Sequence, residues 1–197
     1  MGAFVRSIIS VLILACSCWS AHAAAQKGML DRCGAYFHSS DWTVTQDDEV
    51  ERYAKEFLAT AGVTATPVVC SGIASDDDPV QSIRASSGFV SYFYIGIRSD
   101  FRLAIGEEIR AVIAHEVAHL VTDTDVSCGS FLERRDEGGY IECEHRADQR
   151  ADTLAGRGQM ARTLRWLIGY LRERYGADDR RIGVQLFQLN RRIYLLH

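Results

Sequence analysis

Apolar residues recur along the chain with two different periods, and the changes between them mark out its elements. Val50, Tyr53, Ala54, Phe57, Leu58 and Ala61 fall at helical spacing. Thr45 as N-cap, acids at Asp47, Asp48 and Glu49, and Gly62 as terminator bound that predicted helix. Residues 63–73 are β-branched but contain Pro67, which predicts an edge or interrupted strand. Ser75-Asp76-Asp77-Asp78-Pro79 reads as a solvated turn, because it lacks the glycine and glutamate spacing of a calcium loop. Residues 88–97, aromatic and β-branched, predict the strongest strand of the chain. Ser99 or Asp100 then caps a helix that carries Leu103, Ile105, Ile109, Val112 and Ile113 forward.

Residues 122–140, with Gly129, Gly138 and Gly139 around Phe131 and Leu132, read as a loop. An acid-rich helix follows, and then two amphipathic helices parted by Gly176. The first carries Leu164, Leu167, Ile168 and Leu171, the second Ile182, Leu186, Leu189 and Ile193. Together these elements predict an α+β fold with a small, mostly antiparallel sheet.

The chain has 197 residues, enough for one domain with a sizeable core. Residues 1–25 are set apart from it. Arg6, an apolar run from Ile8 to Ala15 and the small-x-small site Ala21-His22-Ala23 predict a cleaved signal peptide, leaving 26–197 as a single exported domain, periplasmic or secreted. Ile13-Leu14-Ala15-Cys16 also resembles a loose lipobox, so a lipid anchor on Cys16 stands as a second reading. No later stretch approaches the roughly 20 apolar residues of a transmembrane helix.

Removal of the signal would take Cys16 and Cys18 with it and leave Cys33, Cys70, Cys128 and Cys143. An even number in an exported domain predicts two disulfides, and we expect Cys128 with Cys143 and Cys33 with Cys70. No Cys-x-x-Cys spacing of a structural zinc site is present among these four. The formal net charge is only −4, with arginines scattered among acids, and nothing resembles a nucleic-acid footprint.

The candidate chemistry lies in Ala111-Val112-Ile113-Ala114-His115-Glu116-Val117-Ala118-His119-Leu120. His115 and His119, four apart, share one helical face where two ring nitrogens can reach one Zn²⁺. Glu116 leans out beside them, placed to take a proton from water activated by the metal. Ionisable groups on so apolar a helix are costly unless paired or bound to a metal. Zinc in a catalytic site takes three protein ligands. Downstream, Glu144, Asp148 and Asp152 are spaced by four and share a face.

With these residues the chain resembles the gluzincin metallopeptidases, in particular soluble periplasmic relatives of the prenyl-protein and heat-shock proteases, the minigluzincins. Their pattern is HExxH followed by Glu-x-x-Ala-Asp-x-x-Ala, the Glu binding zinc and the Asp supporting a histidine. The second half fits in two registers: Glu144 as ligand with Asp148 as orienter, or Asp148 as ligand with Asp152 as orienter. A buried stripe of Ala151, Leu154 and Ala155 favours the second, while family habit favours the first. The resemblance spans residues 115–155. It implies a zincin-like fold with an HExxH helix, a carboxylate-ligand helix and C-terminal helices. It also implies an endopeptidase acting on peptide or protein substrates with Glu116 as general base. Zincins commonly hold substrate along a sheet edge upstream of the metal helix, so residues 88–97 are either that edge or a core strand. Tyr140, His145, Tyr170 and Arg165 are available to stabilise an oxyanion. The rival expectation is an envelope binding or chaperone-like protein that keeps the fold with a structural or occluded metal.

Overall fold

The strand expected over residues 88–97 is observed at Val90–Arg98, inside the sheet rather than at its edge. The computed structural model describes residues 32–38, 40–73, 79–87, 89–122, 127–176, 179 and 182–197. Strands β1 (Thr43–Val44), β2 (Thr66–Gly72), β3 (Val80–Ser87) and β4 (Val90–Arg98) lie in the order β1-β2-β4-β3. β1–β2 and β3–β4 are antiparallel, and β2–β4 is parallel, so the sheet is mixed. The edge beside the rest of the molecule is β3, whose Gln81, Ser82, Arg84 and Ser86 obscure any apolar alternation. β2 is not an outer strand either. β1 reaches only Cys70 and Ser71, however, so Pro67 falls where no strand pairs with β2 on that side.

Alternation along β4 divides the core in two. Phe93, Ile95 and Ile97 face helices α1 (Asp48–Thr60), α3 (Ile109–Thr122) and α6 (Gln159–Tyr175), joining Val50, Phe57, Ile113, Val117, Leu164 and Ile168. Burial of each large side chain here contributes roughly 1.5–3 kcal/mol. Tyr94 faces the other way, onto Cys33, Phe37, Trp42, Val68 and Cys70. Gly96 lies under the Phe37 ring, where a Cβ would come within 2.8 Å of it. A Cys33–Cys70 disulfide fastens this second cluster to the sheet, as expected.

The first helix starts later than its sequence signal suggested. Asp47, not Thr45, is the N-cap, with Oδ1 accepting from the Val50 N–H at 3.1 Å. Thr45 instead donates its N–H to the Val69 carbonyl and extends the sheet. The helix leading toward His115 is broken. α2 (Ser99–Ala104) is a separate short helix whose N-cap is Arg98, without a side-chain cap, and Gly106 at φ +53° turns the chain into a 3-10 turn before α3 begins.

The expected loop at 122–140 holds a short helix, α4 (Cys128–Glu133), and the start of α5 (Glu137–Ala155). Gly139 lets the two approach, since a Cβ there would lie 2.4 Å from the Phe131 ring. Cys128 and Cys143 are joined as expected. The chain closes with α6 and α7 (Gly183–Leu195). Among the described residues no helix is long and apolar enough to cross a membrane. The expected signal peptide, Cys16 and the acidic turn at 75–78 lie outside the described residues.

Candidate metal centre

α3 buries Ile109, Ile113, Ala114 and Val117 against the sheet and α1, which turns His115 and His119 toward α5. The two imidazoles sit one turn apart, ring centroids 4.6 Å from each other and planes at 90°. Their Nε2 atoms are 3.0 Å apart. From α5, Glu144 brings Oε2 to 3.3 Å from the His115 Nε2 and Oε1 to 3.7 Å from the His119 Nε2. Ligands about 2.0–2.2 Å from a tetrahedral ion stand roughly 3.3–3.6 Å from one another, so the three donors fit one such ion. His115, His119 and Glu144 thus form a cluster able to hold a metal, with ligand atoms all within 4.8 Å.

Asp148, the other candidate ligand, is outside this cluster. One turn further along α5 and fully buried, it places Oδ1 2.9 Å from His115 Nδ1, the ring nitrogen on the side away from Glu144. That is the position of a carboxylate orienting a metal-binding histidine. Asp152 takes neither role. Its Oδ2 accepts from the Gly158 N–H at 2.7 Å and its Oδ1 from the Met160 N–H at 2.9 Å, tying the end of α5 to the start of α6. The buried face of α5 carries Glu144, Ala147, Asp148 and Ala151, whereas Leu154 and Ala155 are only half-buried. The stripe that favoured the other register is the less buried of the two.

Arg192 on α7, 8 % exposed, completes the cluster and was not foreseen. Its Nε and Nη2 donate to Asp148 at 2.7 and 2.6 Å, and its Nη1 stands 3.0 Å from Glu144 Oε2. One signal for it existed: Arg192 falls one turn after Leu189 and beside Ile193, on the helix's apolar stripe.

Two cations, Arg192 and protonated His115, therefore meet two buried carboxylates in the metal-free protein. Burial works against the His115 imidazolium, but Asp148 and Glu144 outweigh it and lift the group to about 10. Burial likewise opposes the Glu144 charge, yet Arg192 and His115 hold its carboxyl down at about 2. The same cations, Arg192 above all, overcome burial at Asp148 and keep it below the usual carboxylate range.

The cluster opens into a cavity of about 430 Å³. Glu116, 8 % exposed, lines it together with the two histidines. Pro79 to Ile83, at the start of the edge strand β3, form the wall across from α3. Of the four groups expected near an oxyanion, Tyr140 alone lines this cavity. Tyr170 accepts a hydrogen bond from Arg98 at 3.1 Å, Arg165 reaches His197 at 2.8 Å, and His145 is buried outside the cavity. No family model, curated protein or solved structure matches the chain.

Proposed function

We propose that this chain is a zinc-dependent endopeptidase with a zincin-like fold of the gluzincin type, working in the periplasm or outside the cell. The observation that carries the reading is the convergence of His115, His119 and Glu144 in a cavity that also contains Glu116. The two disulfides suit an oxidising compartment. When bound, zinc supplies Lewis acidity, which acidifies water and polarises a carbonyl.

This chain's residues do the rest. Glu116 accepts a proton from the attacking water and delivers it to the leaving amine. Tyr140 donates its phenolic hydrogen to the oxygen on which charge develops. Asp148 fixes the His115 ring, and Arg192 fixes Asp148 and Glu144 together. The edge of β3, which no strand among the described residues covers, takes an extended peptide by main-chain hydrogen bonding, a role that β4, flanked on both sides, cannot serve.

The test is zinc content and hydrolysis of unfolded protein substrates by the purified protein and by Glu116→Gln. We expect stoichiometric zinc in both and a loss of hydrolysis of roughly 10²–10⁴-fold in the variant. Substoichiometric zinc in the native protein, or undiminished cleavage by the variant, refutes the reading. Zinc held without any hydrolysis favours the binding or chaperone-like alternative.

A further inference from the structure

Asp148 lies against the Nδ1 side of His115, and on the Nδ1 side of His119 a sulfur atom is within reach. The His119 Nδ1 stands 3.7 Å from Cys128 Sγ, one half of the Cys128–Cys143 disulfide. The other half, Cys143, is fully buried on α5 and directly precedes Glu144. Ser127, Cys128 and Gly129 also form part of the cavity wall.

We infer that the Cys128–Cys143 bridge is a positioning element of the metal centre: Cys128 sets the His119 ring, and the bridge fixes that sulfur relative to the helix turn that presents Glu144. Sulfur is a weak hydrogen-bond acceptor, so its hold on a ring comes from being in a fixed place rather than from bond strength. The disulfide provides that fixity. The α-carbons of the two cysteines are 5.5 Å apart, so α4 cannot carry the sulfur away from His119 while the bridge is intact. Asp148 and Arg192 support the His115 side of the triad, and the bridge lies against the His119 side. Cys33–Cys70 supplies the contrast, since it lies in the cluster of Phe37, Trp42 and Tyr94 on the opposite face of the sheet.

The inference rests on the metal reading above, and its test separates the two. Zinc affinity is measured by chelator competition for the native protein, for Cys128→Ser/Cys143→Ser and for Cys33→Ser/Cys70→Ser, below each melting transition. Both double variants melt at lower temperature, because each loses a cross-link. Only the first is expected to bind zinc more weakly, by about 10–100-fold, the usual effect of losing a group that orients a ligand. Equal affinity in the two variants, or tighter binding without the Cys128–Cys143 bridge, overturns the inference while leaving the metal site standing. A native protein that binds no zinc overturns both.

A second measurement uses the unmodified chain and so does not depend on a variant folding. Two glutathione thiols transfer their hydrogens to Cys128 and Cys143 and leave as glutathione disulfide, and the fraction reduced is read by alkylation and mass spectrometry. By reciprocity, saturating zinc raises the glutathione ratio needed for half-reduction of this bridge by the same 10–100-fold or so. Cys33–Cys70 does not shift. An unmoved midpoint for Cys128–Cys143 refutes the coupling.

Discussion

Replacing Arg192 with Met removes a guanidinium from the middle of the cluster while keeping much of its volume. In the metal-free native protein, Arg192 and the His115 imidazolium balance Glu144 and Asp148. The variant leaves two carboxylates, one fully buried and one 7 % exposed, facing a single cation. Removing one partner of a buried ion pair costs roughly 3–5 kcal/mol. The total stability of such a domain is about 5–15 kcal/mol, so the metal-free variant should be marginal. Zinc changes the balance. Bound as proposed, it would displace the His115 proton and add two positive charges, so the loaded variant would again set two positive charges against two carboxylates. Most of the lost stability should therefore return on adding zinc, and the zinc-induced gain should be larger in the variant than in the native protein. Urea unfolding at neutral pH, with a chelator and with excess zinc, measures all four states. A metal-free variant within about 1 kcal/mol of the native protein would refute the charge balance, since an exposed pair is worth no more than that.

On the proposed reading zinc would have to remove a proton from His115, because a group lifted to about 10 is protonated at neutral pH and only the neutral ring can ligate. Glu144, held at about 2, has no proton to lose there. Affinity should thus rise about tenfold per pH unit between pH 8 and 9, with about one proton released per zinc from His115; calorimetry in buffers of different ionisation enthalpy reads this, and zero release would sink it. Asp148→Asn should weaken zinc binding about 10–100-fold by loosening His115. Asp152→Ala should instead cost about 1–2 kcal/mol of stability through two lost backbone acceptors and leave zinc affinity alone. A reversal of these two outcomes would return the ligand role to the later register.

The reach of sequence reasoning here follows the distance over which each feature is decided. His115, Glu116 and His119 were legible because a single helix sets their relation. Glu144 and Asp148 were not separable, because both lie on one face of α5, and what selects between them is where that helix slides along α3. The two disulfides were paired correctly on modest grounds, one closing the stretch after the metal helix and the other taking the remaining cysteines. The strand order lay beyond local pattern. β3 is polar along much of its length and becomes a strand by pairing with β4, so neither its existence nor its edge position had a signal in its own residues. Arg192 shows a different failure. Its helix is legible in the apolar periodicity, but a pattern of apolar positions carries no mark of a charged residue buried within the stripe.

That arginine also fixes an order of events. It follows Asp148 by 44 residues, so on a chain growing from its N-terminus both carboxylates exist well before the guanidinium that neutralises them. Until α7 has been synthesised, closing α5 onto α3 would bury negative charge with too little to offset it, and that face stays open to water. In the metal-free chain, closure of this cluster therefore waits on α7, the element that brings the guanidinium.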